Sequence, residues 1–253
     1  MSKHPVSLVI ISLNEEANIE RCIRSAPWVN DVVVLDSGSS DRTQEIARSL
    51  GARVVVEPFR GFRAQKQRAT DLANNNWILS LDADEALSEA ASRELEQLVA
   101  DEQQLNKFDG VEMPRLSFHM GRWIKHGGWY PDKQLRLFNR KSAAWSKGHV
   151  HERVEAKRVC LLKSDLLHYP FGSLSEQIRT NNEYSSLGAR DLFDQKKKFS
   201  VLKLIFKPWS KFLETYVIKR GFLDGMPGFI IAVGAAYSVF LKFSKLRELE
   251  QIK

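Results

Sequence analysis

The first hundred residues alternate short apolar runs with longer amphipathic segments. The apolar runs are rich in β-branched residues, which is typical of parallel strands buried on both faces. They predict strands at residues 6–12, 31–36, 53–57 and 77–82. Between the strands, apolar side chains recur at helical spacing. The predicted helices cover residues 15–25, 41–51 and 63–74, and a further helix begins after the capping residue Ser88.

Strands and helices that alternate at this spacing predict an α/β fold with a mainly parallel sheet and helices on both of its faces. In such sheets, ligands bind beyond the carboxyl ends of the strands. This rule selects four stretches that are rich in polar or charged groups, at residues 12–16, 36–41, 58–66 and 82–85. We therefore expect the functional site to be built from these four stretches.

The pattern changes after Asp109. Aromatic residues and glycines crowd together in residues 118–132, and residues 133–140 then alternate as a strand does. This part of the chain is typical of an antiparallel lobe that shapes a substrate site. Residues 174–194 predict a long helix. We accordingly expect a catalytic domain over residues 1–172 and a helical region over residues 173–253.

Length and cysteine content narrow the class of protein. A chain of 253 residues can bury one substantial core, with room for a small appendage. Its two cysteines, Cys22 and Cys160, lie far apart without the spacing of a zinc site or a disulfide framework. The beginning of the sequence lacks the features of a signal peptide, so we expect the catalytic part to be cytoplasmic.

Basic residues are concentrated in the last part of the chain. Residues 195–253 hold 12 Lys or Arg and 4 Asp or Glu, whereas residues 1–194 hold 26 and 27, so the net charge of +7 divides into +8 and −1. A nucleic-acid binder is expected to carry its positive charge on the folded domain as well. The neutral first part therefore argues against nucleic acid as a partner.

In the basic region, cations alternate with large apolar residues at helical intervals. This pattern is typical of helices that lie on an anionic membrane surface. The uncharged run at residues 225–241 is at the short limit for a membrane span and contains Pro227. We expect a monotopic or re-entrant hairpin there rather than a true span. The alternative is a soluble helical subdomain with a basic solvated face.

Asp82 and Asp84 directly follow the predicted strand at residues 77–82. Two carboxylates so placed suit a divalent cation such as Mg²⁺ or Mn²⁺, which prefers oxygen ligands and shares them with phosphates. Such a metal would neutralise the charge that builds up on a departing diphosphate. The alternative interpretation is a solvated acidic loop.

A second polar turn, DSGSSDRT, follows the predicted strand that ends at Asp36. Its glycine and serines form a turn whose amides and hydroxyls can face a ligand. Asp36 can accept hydrogen bonds from a nucleobase or a ribose. Capping of the next helix by Ser40 or Asp41 is compatible with that role.

The ordered series SLVIISLNEE, VVVLDSGSSDRT and WILSLDADE resembles the inverting glycosyltransferases of family 2, which have a GT-A fold, over roughly the first 90 residues. The resemblance implies that Asn14 and Glu15 line the nucleotide end of the site and that Asp36 holds the nucleobase. It also implies that Lys66 lies near the base, that Asp82 contacts ribose or metal, and that Asp84 ligates the metal that bridges the diphosphate.

An inverting transferase needs a general base for the acceptor hydroxyl. The same resemblance places a carboxylate at Glu152, in GHVHERV, with His151 and His149 as possible support. Arg136 is a candidate for diphosphate binding. Trp123, Trp129 and Tyr130 are candidates for stacking on a sugar, with packing of the lobe as the alternative, since aromatic rings serve both purposes.

The ending FKPWSKFLETYVIKRGFLDGMPG, together with DADE and VHE, resembles bacterial lipopolysaccharide inner-core β-glucosyltransferases of the same family. This narrower resemblance implies UDP-glucose as donor and a lipid-anchored core heptose as acceptor. It also implies a peripheral location on the inner face of the bacterial inner membrane. Alternatives that stay open are a polyprenyl-phosphate acceptor and, in another enzyme class, a phosphohydrolase with Asp82 as nucleophile and Asp84 as acid.

Overall fold

The computed structural model describes residues 4–146 and 153–252. Their contacts divide the chain into two compact units. Unit 1 comprises Met1–Arg115 and Asp132–Tyr169, and unit 2 comprises Leu116–Pro131 and Pro170–Lys253. The polar stretches at residues 12–16, 36–41, 58–66 and 82–85 lie in unit 1, and the basic helical region lies in unit 2.

Unit 1 contains most of the strands and five helices among the described residues. Its strands are β1 (His4–Ser12), β2 (Val29–Asp36), β3 (Arg53–Val56), β4 (Trp77–Asp82), β5 (Glu85–Leu87), the first part of β6 (Gly110–His119), β8 (Asp132–Asn139), β9 (Ala144–Trp145), β10 (Val154–Glu155), β11 (Val159–Leu161) and β12 (Leu166–His168), while β7 (Arg122–Ile124) belongs to unit 2. Its helices are α1 (Ile19–Arg24), α2 (Thr43–Ser49), α3 (Phe62–Asp71), α4 (Glu89–Ala100) and α5 (Glu102–Leu105).

The strands form a mixed sheet in the order β3-β2-β1-β4-β8-β6-β12-β5. The first four are parallel to one another, and β8 runs antiparallel to both β4 and β6. This Rossmann-like arrangement is a GT-A fold, as the sequence predicts. Because β8 is antiparallel, its amino-terminal half lies beside the carboxyl end of β4, where Asp82 is the last residue.

The core of unit 1 covers both faces of the sheet. Leu8 and Ile10 of β1 pack with α1 and α4 on one face, whereas Val9 packs with Val33 and Leu35 of β2 on the other. All five side chains are at most 1% exposed. Continuous apolar strands are therefore explained by burial on both faces, as parallel sheets require.

Two helix starts show how local chemistry sets the boundaries. The hydroxyl of Ser88 accepts a hydrogen bond from the backbone N–H of Ala91 at 3.1 Å, which makes Ser88 the predicted N-cap of α4. Helix α1 begins at Ile19 rather than at Glu15. The backbone N–H of Glu15 donates to the hydroxyl of Thr43 at 2.7 Å, and its carbonyl oxygen accepts the N–H groups of Asn18 and Ile19 at 2.9 Å, so Glu15 ties the turn before α1 to the start of α2.

Unit 2 contains three long helices: α6 (Leu174–Asp194), α7 (Val201–Leu213) and α8 (Gly225–Gln251). A π-helical turn at Glu214–Ile218 extends α7, and a 3₁₀ turn at Gly221–Asp224 leads into α8. Ala189, Phe243 and Leu246 form a small buried core between α6 and α8. Helix α6 has the bounds that the sequence predicts.

The prediction of a re-entrant hairpin at residues 225–241 is wrong, because this segment lies within one continuous helix of 27 residues. Pro227 is in the first turn of α8, where a proline removes no intrahelical hydrogen bond. Gly228 lies against the backbone of Gly221, so a Cβ at that position would collide with the Gly221 carbonyl oxygen. The proline and this glycine therefore serve the start of the helix and do not break it.

By length and composition, the helical stretch Gly221–Gln251 qualifies as a candidate membrane span. Its apolar window is 22% buried within the protein. Helix α7 contributes no fully buried side chain. Much of the apolar surface of unit 2 is thus exposed.

Candidate active site

The turn that follows β4 carries Asp82, Asp84 and Glu85 at the carboxyl edge of the parallel strands. Asp82 pairs in register with Ile11 of β1, and β5 begins at Glu85. The backbone N–H of Asp82 donates to Oε2 of Glu85 at 3.2 Å, and the N–H of Tyr169 donates to the carbonyl oxygen of Asp84 at 2.9 Å. The turn is held from both sides, so its carboxylates have defined positions.

Two cations hold the carboxylate of Asp82. Nζ of Lys66 lies 2.7 Å from Oδ1 and 3.0 Å from Oδ2, and Nη2 of Arg136 lies 3.0 Å from Oδ2. Burial raises the pKa of Asp82, but Lys66 and Arg136 outweigh it and hold the pKa below its usual range. Asp82 is therefore an anion at neutral pH whose two oxygens are already engaged.

Glu85 is the buried counterpart of Asp82. Its Oε1 lies 2.6 Å from Nη2 of Arg136 and 3.0 Å from Nη1 of Arg115. Arg115 in turn binds Asp132 through Nη2 at 2.6 Å. Burial raises the pKa of Glu85, but the two guanidinium groups lower it further than burial raises it. A continuous ion-pair network results, which runs through Lys66, Asp82, Arg136, Glu85, Arg115 and Asp132.

A β-bulge places Arg136 in this network. Val111 of β6 pairs with Leu137 of β8, but the next residue, Glu112, pairs with Leu135. Arg136 is therefore the extra residue of β8, and a bulge re-aims the side chain of such a residue. The Arg136 side chain is only 5% exposed, and its pKa is raised, since Glu85 and Asp82 outweigh the opposing effect of burial.

Asp84 lies outside the cationic network and pairs with His168 instead. Oδ2 of Asp84 is 3.3 Å from Nε2 of His168, the last residue of β12. A carboxylate oxygen suits Mg²⁺ and Mn²⁺, and an imidazole nitrogen is a common ligand of first-row transition metals. Within residues 4–146 and 153–252, no group of three or more His, Cys, Asp or Glu side chains is arranged to hold a metal. Asp84 and His168 can coordinate a divalent cation if phosphate oxygens complete its coordination shell. Asp82 is less available, because both of its carboxylate oxygens are paired with Lys66 or Arg136.

Asp36 organises the loop after β2. It is fully buried and accepts hydrogen bonds from the Ser12 hydroxyl at 2.9 Å, the Gly38 and Ser39 backbone N–H groups at 3.0 and 2.8 Å, the Ser39 hydroxyl at 2.5 Å and the Gln44 amide at 2.7 Å. Burial raises the pKa of Asp36, but the bonds from Ser39 and Ser12 outweigh it and lower the pKa. The loop conformation is therefore fixed by this anion.

Asn14 and Glu15 join the same loop to the end of β1. Oδ1 of Asn14 accepts the backbone N–H of Ser40 at 2.8 Å, and the Asn14 N–H donates to the Ser39 hydroxyl at 2.8 Å. Asn14 has a left-handed backbone with φ of 56°, which asparagine tolerates better than most residues. Glu15 accepts a hydrogen bond from the Asn18 amide at 2.9 Å.

The structure brings the predicted residues of unit 1 to two adjoining places. Lys66, Asp82 and Arg136 are in direct contact, with Asp84 in the same turn as Asp82. Asn14, Glu15 and Asp36 lie together at the ends of β1 and β2, and β1 is the strand next to β4. Their roles toward a nucleotide stay predictions. His149, His151 and Glu152 lie outside the described residues.

The aromatic candidates lie in unit 2. The ring of Trp129 packs against His119 and Phe171, with centroids 5.6 and 6.4 Å away, and the ring of Trp123 packs edge-on against Phe118 at 5.1 Å. Tyr130 precedes Pro131 through a cis peptide bond. These contacts account for the packing of Trp123 and Trp129 within the lobe.

Three residues of the site were given no role from the sequence. Glu85 lies within the selected stretch 82–85, but the sequence did not indicate that it is buried and ion-paired. Arg115 lies in β6 beside other polar residues such as Glu112 and Ser117, so its sequence context did not single it out. His168 carries no motif, and only the folded chain brings it to Asp84.

Comparisons with known proteins identify the family. The sequence profile described as Glycosyl transferase family 2 matches residues 7–107. An uncharacterised glycosyltransferase of Rickettsia typhi is 34% identical over 255 residues, an alignment that covers 96% of this chain and 87% of the relative. The chain belongs to glycosyltransferase family 2. The predicted family and enzyme class are confirmed, and the phosphohydrolase alternative is set aside.

Two further proteins are similar to this chain along all or nearly all of its length. The lipopolysaccharide core biosynthesis glycosyltransferase LpsC of Rhizobium meliloti is 31% identical over 259 residues, covering 99% of this chain and 95% of LpsC. Among solved structures, S. aureus TarS 1–349 in complex with UDP-GlcNAc is 12% identical and has a TM-score of 0.48, with 100% of this chain and 93% of that chain covered.

Proposed function

We propose that this family 2 glycosyltransferase moves glucose from UDP-glucose, with inversion, onto an inner-core heptose of lipopolysaccharide. The observation that carries the proposal is that the two aspartates of the DADE turn have different partners. Asp82 is held by Lys66 and Arg136, while Oδ2 of Asp84 lies 3.3 Å from Nε2 of His168. The similarity to LpsC along nearly the entire chain supports lipopolysaccharide core as the acceptor class.

The donor is proposed to bind along the carboxyl ends of β1, β2 and β4. Asn14 and Glu15 would line the nucleotide end, and Asp36 would fix the loop that receives the nucleobase. Asp82 would contact the ribose, and Lys66 would keep that carboxylate ionised near the base. Arg136 would add positive charge near the diphosphate, since its guanidinium stays protonated in every relevant pH range.

The metal is proposed to be Mg²⁺ or Mn²⁺, held by Asp84 with His168 as a further ligand. When bound, such an ion supplies positive charge that stabilises the departing diphosphate. The protein positions both ligands through backbone structure, because Asp84 follows β4 and His168 ends β12. The hydrogen bond from the Tyr169 N–H to the Asp84 carbonyl oxygen ties the two segments together.

Glu152 is proposed as the general base, with His151 and His149 in support. In the transfer step, an acceptor hydroxyl oxygen attacks C1 of glucose from the face opposite the diphosphate. The C1–oxygen bond to the diphosphate breaks, UDP departs, and the hydroxyl proton passes to the Glu152 carboxylate. Glu152 follows β9 in the chain and immediately precedes Arg153, whose carbonyl oxygen accepts the Ser146 N–H at 2.7 Å.

A lipid-anchored acceptor requires the enzyme to work at a membrane surface, and unit 2 has the surface for it. The outer face of α7 exposes a stripe of apolar side chains, formed by Leu202, Ile205, Phe206, Trp209 and Leu213. Lys203 and Lys207 flank this stripe, as in helices that lie on anionic lipid. We propose that the enzyme is peripheral on the cytoplasmic face of the bacterial inner membrane.

Incubation of the detergent-purified enzyme with a panel of nucleotide sugars, Mg²⁺ or Mn²⁺, and heptose-bearing truncated lipopolysaccharide tests the proposal. Mass spectrometry should show the gain of one hexose from UDP-glucose alone, with loss of transfer in Asp84→Ala and Glu152→Gln. Full activity of Glu152→Gln would favour a polyprenyl-phosphate acceptor, which is already ionised. Transfer from a different donor would overturn the choice of glucose.

A further inference from the structure

A cavity of about 270 Å³ lies in unit 1 beside β8, apart from the Asp84–His168 pair. Its polar lining comes from three separate segments of the chain and consists of Glu112, Lys133, Gln134, Arg136, Arg153 and Glu155. Pockets for drug-sized ligands measure roughly 300–1,000 Å³. This cavity is slightly smaller, so a ligand the size of one sugar ring matches it.

Arg136 connects the cavity to the ion-pair network. Both of its hydrogen bonds to described residues leave from Nη2, toward Asp82 and Glu85. Its Nε is buried and has no acceptor within residues 4–146 and 153–252. A buried donor without a partner costs about 1–3 kcal/mol, so the described residues leave one hydrogen-bonding group of this cavity-lining side chain unsatisfied.

The chemistry of the lining alternates donors and acceptors. Lys133 and Arg153 donate, Glu112 and Glu155 accept, and the Gln134 amide can do both. Trp145 and Val154 add apolar surface to the same wall. An isolated anion would be repelled by the two carboxylates, and an isolated cation by the guanidinium groups. A ring of hydroxyls, which both donate and accept, with apolar C–H faces satisfies all of these groups.

We propose that this cavity is a saccharide subsite that binds a sugar residue of the acceptor. The inference rests on the proposed function, because it assumes that the acceptor is an oligosaccharide. The position of the cavity supports the acceptor over the donor. Most of its lining comes from β6, β8, β9, β10 and β11, whereas the donor residues of the proposal other than Arg136 lie at the ends of β1, β2 and β4 and on α3. The cavity therefore adjoins the proposed donor site at Arg136.

Replacement of Ala156, which lines the cavity, by phenylalanine fills the space and tests the inference. With UDP-glucose saturating, Ala156→Phe should raise the KM for heptose-bearing truncated lipopolysaccharide at least about tenfold, an effect of about 1.4 kcal/mol. The KM for UDP-glucose and the rate of acceptor-independent donor hydrolysis should change less than about twofold. Ala90→Phe, on the exposed side of α4, is the matched control.

A second variant keeps the inference testable if Ala156→Phe fails to fold. Glu112→Gln keeps the shape of the side chain but removes a negative charge from the lining, and it should raise the same acceptor KM about threefold or more. Glu102→Gln, which is exposed and does not line the cavity, should behave as the wild type. Unchanged acceptor KM in both Ala156→Phe and Glu112→Gln overturns the inference, as does an increase confined to the KM for UDP-glucose.

The failure of the proposed function is distinguishable from the failure of this inference. If the wild-type enzyme transfers no sugar to that acceptor, calorimetric titration with the deacylated heptose-bearing oligosaccharide still decides the inference. Binding by the wild type that Ala156→Phe weakens at least tenfold supports the subsite even without transfer. No binding by the wild type, or equal binding by both proteins, overturns it.

Discussion

In this glycosyltransferase, the ion-pair network of unit 1 and helix α7 of unit 2 place their charges in opposite ways. In unit 1, charged side chains such as Arg136 and Glu85 are buried, paired and fixed by strand register. In unit 2, lysines such as Lys203 and Lys207 are exposed beside apolar side chains that are exposed as well. Buried charge is costly unless it is paired, so its presence in unit 1 points to chemistry. Exposed apolar surface is costly in water, so its presence in unit 2 points to a partner surface.

The largest expected effect concerns Asp84, the residue of the DADE turn that pairs with His168. Asp84→Ala should lower kcat about 10²–10³-fold, because charge on the departing diphosphate loses its stabilisation. The melting temperature should change much less than in Arg136→Met, since the side-chain pairing of Asp84 is with His168 at 3.3 Å and not with the buried ion-pair network. Single-turnover transfer and thermal unfolding measure the two quantities. Asp71→Ala, on the surface of α3, is the control, and comparable activity of both variants would refute the role of Asp84.

Removal of the Arg136 guanidinium, which pairs with both Asp82 and Glu85, should disrupt the buried ion-pair network. Arg136→Met leaves Asp82 and Glu85 without their common partner, and we expect a loss of about 3–5 kcal/mol in the free energy of unfolding. Urea denaturation measures it. Arg24→Met, which removes the exposed pair with Glu20, should cost less than about 0.5 kcal/mol. A loss for Arg136→Met as small as that control would show that the network does not stabilise unit 1.

Acid should act on unit 1 through its carboxylates. Asp82 and Glu85 have folded-state pKa values below their unfolded ones. Their contribution to stability is therefore complete above the unfolded pKa values, near pH 4, and is lost as pH falls through the lower folded ones. Unfolding free energies measured from pH 7 to pH 3 should fall in the wild type and fall less steeply in Asp82→Asn. Parallel curves for the two proteins would contradict the assignment.

Unit 2 should respond to changes that leave catalysis in detergent intact. Phe206→Glu with Trp209→Glu puts two negative charges into the apolar stripe of α7, and binding to vesicles with anionic phospholipid should weaken at least about tenfold. Vesicle sedimentation measures the binding. Tyr184→Glu is a suitable control, since Tyr184 is equally exposed but lies on α6. Undiminished vesicle binding by the double variant would exclude this stripe as the membrane contact.

The sequence predicted the parts of the site that depend on local pattern. Asp82 and Asp36 lie at strand ends, and parallel strands bring such ends to one edge, so their placement followed from periodicity alone. The pairing of Arg136 with both Asp82 and Glu85 could not be predicted. It depends on an antiparallel register between β6 and β8 and on a bulge within it, and neither leaves a mark in composition.

The hairpin prediction for residues 225–241 failed for a related reason. Proline and glycine mark breaks only in the interior of a helix, and Pro227 lies in the first turn of α8. The start of α8 was not visible in the sequence, because Gly225 and the 3₁₀ turn before it resemble any other glycine-containing loop. Whether a proline breaks a helix therefore depends on its position in that helix, and the sequence did not show where α8 begins.

The meeting of Gly221 and Gly228 has a consequence for how unit 2 can vary. At this point, main chain rests on main chain, so the direction in which α8 leaves the 3₁₀ turn is set without any side chain between the two segments. Exposed apolar residues of α8, such as Val233 and Phe240, can change in size while that direction stays the same. A single methyl group at Gly228 would instead force the two segments apart and re-aim the whole helix.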